Sequence, residues 1–381
     1  MARKRNAGEG SIFESADGRW CGQLDLGWQN GRRVRKYFYG SSAAEVQEAL
    51  LKARVDHAAA LPVAGKRQAV GQFLSRWLED AVRSSVRALT YEQYEQHVRL
   101  YLAPAFGKIP LHKLRPQAIQ RFIAERLAAG LSPRTVRISL FVLRRALAQA
   151  VKWNLLAANP AAAVDLPRIP RKQLVTFTPE QARALLGAAQ GDPYGPAYWL
   201  ALQCGLRRGK LLALTWNDVD FDAATVTVRR ALERIGGRLE FVEPKSTSGR
   251  RTLPLPAPVL AALKRHKARQ AETRLAAGGA YEDGGLLFPN SLGRPLEPRM
   301  FNRQFKAALQ RAGLPFALRL HDCRHFAATA MVAGGTDLRT VAGILGHADP
   351  SLTVRTYAHA VPEAARRAAE RMGALLGEAK A

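Results

Sequence analysis

Four short stretches in the second half of the chain carry residues suited to chemistry on a phosphate. In "GLRRGKLLAL" (205–214), Arg207, Arg208 and Lys210 interrupt an apolar run that otherwise reads as a core helix. Lys245 stands just before the tight-turn sequence "STSGRR", and "LHDCRHFAATA" supplies His321, Arg324 and His325. "LGHADPSLTVRTYAH" adds His347 and Tyr357. A cation inside an apolar run costs several kcal/mol unless an anion meets it. The pattern therefore asks for a negatively charged ligand.

His321 and Arg324 are three apart, so on a helix they share a face and can grip one ligand. His321 and His325 are four apart, which raises metal binding as a rival. The zinc-protease pattern needs Glu directly after the first His, and here Asp322 follows. The set is also overwhelmingly cationic, without the carboxylates or thiolates that offset a metal's charge. Two arginines, a lysine and histidines describe a phosphate site, because the guanidinium fork matches phosphate oxygens and stays protonated. Such a site can hold both non-bridging oxygens while charge builds in a pentavalent transition state, each donor contributing about 3–4 kcal/mol. No acidic cluster offers a place for magnesium, so the nucleophile is expected from the protein. Tyr357 is the candidate, with neighbouring cations expected to favour its phenolate. Taken singly, it reads first as a packed aromatic with a polar tip, and it is the constellation that raises it to a nucleophile.

The bulk composition agrees with a polyanionic partner. Lys and Arg number 58 against 31 Asp and Glu, a formal charge of +27 spread from end to end. A basic surface of that extent points to nucleic acid, where counterion release drives binding. At 381 residues and 47% hydrophobic, the chain is expected to form two or three well-packed domains. No apolar run approaches a membrane span, and "MARKRNAGEG" lacks a signal-peptide core, so a soluble, intracellular protein is expected. Cys21, Cys204 and Cys323 are odd in number and far apart, which fits small core residues and no disulfide framework.

The elements that must position these residues are mainly helical, with small β parts. Residues 8–40 read as a three-stranded antiparallel sheet with hairpin turns at Asp17-Gly18 and Asn30-Gly31. Ser42 with Glu45 then makes a capping box for a helix to about Ala60. Arg19, Trp20, Arg32, Arg33, Arg35, Lys36 and Tyr37 decorate the sheet, which suits either a solvated face or entry into a major groove. After the linker 60–68 come helices over 69–81, 90–103, 116–129 and 133–152. Ser132-Pro133 opens the fourth, whose apolar set is Val136, Leu140, Leu143, Leu147 and Val151. Arg134 and Arg137 lie among the basic residues of this module and are candidate DNA contacts. A Pro- and Arg-rich linker at 165–177 precedes a capping box at Thr178–Gln181, where a mostly helical C-terminal domain begins. About three strands are expected between 225 and 256, with turns at Gly236-Gly237 and Ser246–Gly249. The domains are bounded at 1–62, 66–162 and 175–381.

"GLRRG", "PKSTSGRRTLPL", "LHDCRHFAATA" and "LGHADPSLTVRTYAH", in that order, resemble the tyrosine recombinase (phage integrase) family. Its signature of Arg, Lys, His-x-x-Arg, His or Trp, and Tyr is matched by Arg207, Lys245, His321, Arg324, His347 and Tyr357. The resemblance covers the whole chain. It implies an N-terminal arm-binding domain, a helical core-binding domain and a mixed α/β catalytic domain. It implies attack by Tyr357 on a DNA phosphodiester, giving a 3′-phosphotyrosine and a free 5′-hydroxyl. Arg207 and Arg324 would hold the non-bridging oxygens, Lys245 would protonate the leaving oxygen, and His321 would assist proton transfer at the nucleophile. His347 would hydrogen-bond the phosphate. Neither metal, ATP nor another cofactor is required. The implied partners are double-stranded DNA with core and arm sites, three further copies in a tetramer passing through a Holliday junction, and DNA-bending proteins or an excisionase.

A type IB topoisomerase shares this chemistry, and a DNA-binding relative with weakened chemistry shares the fold. Both stay open as alternatives. Lys210 departs from the family pattern, which has an acidic residue three after the arginine. It is read as modulating, as is His325; Lys210 is expected to turn to solvent, to a DNA phosphate or to Asp218, and to slow cleavage. Arg208 is expected at the surface. The segment after Tyr357 reads as an amphipathic helix with Ala365, Ala369, Met372 and Leu376 on one side, docked either on its own domain or on a neighbour.

Overall fold

The computed structural model describes residues 11–15, 18–29, 32–58, 68–170, 176–243, 249–346, 349, 351, 357, 366, 369–370 and 372–374. Residues 1–171 and 172–381 form two compact units.

The first unit opens with β1 (Ser11–Glu14), β2 (Trp20–Gln29) and β3 (Arg32–Gly40), antiparallel in that order, and α1 (Ala43–Ala58). Asp17, Asn30 and Gly31, expected at the turns, lie outside the described residues. Alternation along β3 divides its side chains between two faces. Arg33, Arg35, Tyr37 and Tyr39 are exposed, while Val34, Lys36 and Phe38 are half-buried. Lys36 pairs with buried Leu24, and Trp20 with Gly40, in the register of β2 and β3. Trp20 and Lys36 therefore lie on the face that carries α1, away from the open arginine face, a correction to the flat list of seven sheet residues. Burial also pulls the Lys36 ammonium below its usual pKa. α1 comes so close that a Cβ on Gly22 would sit 2.6 Å from Val46 Cγ1. The open face bears exposed Phe13, Tyr37 and Tyr39, with the Arg19 guanidinium 5.8 Å from the Tyr39 ring centre. The side chain of Arg32 lies outside the described residues.

The helical module holds α2 (Val70–Trp77), α3 (Ala88–His97), α4 (Ala103–Phe106), α5 (Pro116–Ala128) and α6 (Pro133–Lys152). Single π turns at Leu78–Val82 and Val98–Leu102 extend α2 and α3. Ser132 caps α6 by accepting from Thr135 N at 3.1 Å, with Pro133 at the first helical position. Val136, Leu140, Leu143 and Leu147 are buried, as their spacing predicts, while Val151 near the helix end is half-buried. Several arginines of this module are structural. Arg144 donates to the carbonyls of Ala161 and Val164 at 2.7 and 2.6 Å, and Arg145 to the Tyr94 hydroxyl at 2.9 Å. Arg76, Arg83 and Arg99 pair with carboxylates on their own helices. Arg134 and Arg137 are exposed.

The second unit begins with α7 (Pro179–Ala188), whose Thr178 and Gln181 form the reciprocal box at 3.2 and 3.0 Å. α8 (Gly195–Gln203) runs through the core and packs against α10 (Ala257–Ala277) and α12 (Leu320–Ala333). Between lie α9 (Arg208–Leu212), β4 (Val219–Asp220), β5 (Thr225–Val228), β6 (Ala231–Ile235), β7 (Arg238–Val242) and β8 (Arg251–Pro254). Strands β4-β5-β8 form one antiparallel sheet and β6-β7 a separate hairpin; four strands, β5 to β8, lie between 225 and 256, where about three are expected. The sequence "TVTVRRALER" is split at Arg229-Arg230 into β5 and β6. α11 (Pro298–Arg311) and α13 (Leu338–Leu345) complete the described elements. No described helix is long and apolar enough to cross a membrane. Of the expected C-terminal helix, Ala369 and Met372 are described and exposed, while Ala365 and Leu376 lie outside the described residues.

Candidate active site

The stretch "GLRRGKLLAL" is broken, not one core helix. α8 stops at Gln203, Gly205 turns the chain with φ +60°, and α9 starts at Arg208. The backbone angle favours glycine at 205, and a Cβ there would fall 2.5 Å from Leu345 Cδ2, which would have to shift. The turn leaves Arg207 as the extended residue capping α9, exposed to solvent, and sends the Gly205 carbonyl toward α12. Arg324 Nη1 donates to that carbonyl at 2.6 Å. Arg208 is exposed, as expected.

α12 delivers His321, Arg324 and His325 from successive turns. Its start is held by Asp322, which accepts from Arg319 N at 2.8 Å and pairs with the Arg319 guanidinium at 2.8 Å. Arg324 is 2% exposed, and its Nη2 has no partner among the described residues. Burial, then Arg207 and Arg251, push its pKa down to about 9. A buried guanidinium with one hand tied to a carbonyl and the other free is prepared for an incoming anion. The His321 and His325 rings meet edge to face, 4.8 Å between centres.

Tyr357 is 2% exposed and packs with Ala328, Val332, Val341 and Leu345. Its hydroxyl and His325 Nδ1 are hydrogen-bonded at 2.9 Å. The imidazole that reaches the nucleophile candidate is thus that of His325, where His321 is expected. Burial raises the phenol's pKa and outweighs the opposing pull of Arg324 and Arg207. The expectation that nearby cations alone favour phenolate is corrected: desolvation wins, and the proton needs an acceptor. Burial first, then the charges of His325, Arg324 and Arg207, lower His321 to about 4, so it is a neutral ring.

Lys210 turns inward. It is buried and donates from Nζ to the Gly249 carbonyl at 3.1 Å, reaching neither solvent nor Asp218. Asp218 is already engaged, accepting from Thr215 N and pairing with Arg229 at 3.1 Å. Burial, then Arg251, Arg207 and Arg324, depress the Lys210 ammonium to about 7. Sequence reading missed Arg251 altogether. Its Nε donates to the Ile344 carbonyl at 2.7 Å, joining β8 to α13. Its Nη1 and Nη2 are buried and without partners among the described residues. The only available signal was an arginine at the start of a strand following the Lys245 turn. Lys245 and His347 lie outside the described residues.

Lys210→Glu is expected to exchange a repulsion for a charge-assisted pair with those free Arg251 hydrogens, at about 1.5–3 kcal/mol. The melting temperature should rise by several degrees and covalent-complex formation on DNA should quicken. The sign of the pH dependence follows from the lowered ammonium. The unfolded chain, with lysine near its usual 10.5, binds the extra proton above pH 7, so wild-type stability climbs from about pH 7 to 8.5. Thermal melts at both pH values should show that climb in the wild type and a smaller one in Lys210→Glu. Equal melting temperatures and equal cleavage rates would refute the account.

Residues 176–364 match the phage integrase family, and residues 69–126 match the phage integrase N-terminal SAM-like domain. A XerC-like tyrosine recombinase of Caldanaerobacter subterraneus subsp. tengcongensis is 29% identical, across 91% of this chain and 93% of that protein. The Tn1549 transposon integrase, solved with a circular intermediate DNA, superposes with a TM-score of 0.69 at 25% identity, covering 80% of this chain and 99% of that one. A lambda integrase, solved as a tetramer on a Holliday junction, shares the fold with a TM-score of 0.60 at 15% identity, over 93% and 96%. These similarities favour strand exchange over the topoisomerase alternative. With the two arginines, the histidine pair and the tyrosine gathered at one site, the chain belongs to the phage integrase family of tyrosine recombinases, enzymes that cleave and rejoin DNA.

Proposed function

We propose that this recombinase is the integrase of a mobile element and acts through Tyr357. The observation that carries the reading is the buried Tyr357 hydroxyl, bonded to an imidazole and facing the charges of Arg207 and Arg324. Phenol oxygen attacks the scissile phosphorus, forming the 3′-phosphotyrosine, and the 5′-hydroxyl leaves. Exposed Arg207 and the free hand of Arg324 take the non-bridging oxygens. Lys245 serves as the acid for the leaving oxygen, His347 bonds the phosphate, and His321 supports the nucleophile's side. The phosphotyrosine keeps the bond energy, so a partner strand's 5′-hydroxyl reverses the step without ATP or metal.

Residues 1–62 are the arm-site reader, with Arg19, Arg33 and Arg35 beside the exposed aromatics of the sheet's open face. The core-binding domain, 66–162, contributes Arg134 and Arg137 to the DNA backbone. The catalytic domain spans 175–381. Four copies exchange strands on two duplexes in a bacterial cytoplasm, with bending proteins or an excisionase as further partners. The lambda assembly on a Holliday junction supports this reading.

The test is trapping on a nicked core-site duplex whose short 5′ fragment diffuses away after cleavage. With EDTA and no ATP, the protein should accumulate as a covalent adduct, and peptide mapping should place the phosphate on Tyr357. No adduct, or a phosphate on another residue, overturns the reading. Relaxation of supercoils without site dependence would favour the topoisomerase alternative.

A further inference from the structure

We propose that His325 is a catalytic residue of this site: its Nδ1 accepts the phenolic proton as the Tyr357 oxygen attacks phosphorus, while His321 keeps the ring in place. The inference rests on Tyr357 being the nucleophile and deepens that reading.

The 2.9 Å contact is between His325 Nδ1 and the reacting oxygen itself, and in the tautomer protonated on Nε2 that nitrogen accepts from the phenol. Tyr357 is 2% exposed, so bulk water has almost no access to take the proton. Arg207 and Arg324, whose charges act on the same phenol, are donors only. His325 is kept neutral by burial, as an acceptor must be. Acceptance at Nδ1 places the ring's own proton on Nε2. His321, edge-on at 4.8 Å, limits how the His325 ring can turn.

The atoms balance. The Tyr357 O–H bond breaks and an N–H bond forms on His325. The phenol oxygen bonds to phosphorus, the P–O5′ bond breaks, and O5′ takes a proton from the acid on its own side. An imidazolium beside Arg324 is costly in the free protein. It becomes affordable when the phosphate's growing negative charge lies between the cations. Proton transfer is thereby tied to the presence of DNA. On reversal, the imidazolium returns the proton to the departing phenolate.

The experiment uses the full chain on the nicked duplex under single-turnover conditions. His325→Ala should slow adduct formation about 10²–10³-fold, the range of a lost general base, with non-covalent DNA binding retained. Added imidazole should restore much of that rate. A 5′-bridging phosphorothiolate, whose thiolate leaves without an acid, should not restore it, yet should restore Lys245→Ala. His325→Gln fills the space and can bond the hydroxyl but cannot take its proton, so it should be as slow as the alanine variant. A His325→Ala rate within threefold of wild type, rescue by the phosphorothiolate, or a near-normal His325→Gln would each overturn the proposal. Imidazole rescue of His321→Ala in place of His325→Ala would do the same. An adduct formed by Tyr357→Phe would instead sink the nucleophile assignment, leaving the two failures distinguishable.

Discussion

Tyr357→Phe is expected to form no covalent complex with DNA while still binding it and folding normally. The ring lies against Ala328, Val332, Val341 and Leu345, contacts that phenylalanine keeps unchanged. What is lost is one oxygen and its hydrogen bond to His325, so the stability change should be about 1 kcal/mol or less. The catalytic loss should be total, because phenylalanine offers no oxygen to bond the phosphorus. Gel retardation, thermal melting and adduct trapping together separate the outcomes. Any adduct above background in this variant contradicts the mechanism. Weak DNA binding with a lowered melting temperature would show that Tyr357 acts mainly as a core residue.

Removing Arg324 has the second-largest expected effect, and it should act on catalysis and stability in opposite directions. Arg324→Met keeps the apolar stem and removes the guanidinium. Loss of one preorganised donor to the transition state costs about 3–4 kcal/mol, or 10²–10³-fold in cleavage. Yet the folded chain holds that charge at 2% exposure with a depressed pKa and other cations around it. The variant gives up the bond to the Gly205 carbonyl but sheds an unpaired buried charge. Its melting temperature should therefore be equal to or above that of the wild type. Slow cleavage with an unchanged or raised melting temperature supports a guanidinium kept for the phosphate. Slow cleavage accompanied by a large fall in melting temperature would recast Arg324 as a structural brace.

Local features of the fold were legible because their causes are local. Thr178 and Gln181 cap α7 with hydrogen bonds that span three residues, and Ser132 caps α6 in the same way. The apolar spacing of α6 predicts its buried face. The strand parts were harder. Alternation divides Arg35 from Lys36, but which face α1 covers depends on how closely Val46 approaches Gly22. The apolar density around Arg207 suggests a continuous helix. The chain breaks at Gly205, where φ is +60° and a Cβ would meet Leu345, more than a hundred residues away.

By itself, the sequence determined the chemical kind of this protein. Arginines, histidines and a tyrosine in ordered motifs, on a chain of net charge +27, specify a phosphate-handling enzyme for a polyanion. Residue type and spacing suffice for that, because charge, donor geometry and nucleophilicity belong to the side chains. Only the tertiary structure decided which groups meet. Arg324 finds the Gly205 carbonyl 119 residues away, Lys210 the Gly249 carbonyl 39 away, and His325 the Tyr357 hydroxyl 32 away. Burial then set the protonation of each group, lowering the lysine and histidines and raising the phenol. Proximity and desolvation are properties of the packed chain, and they put His325, not His321, against the Tyr357 hydroxyl and Arg251 beside Arg324 and Lys210.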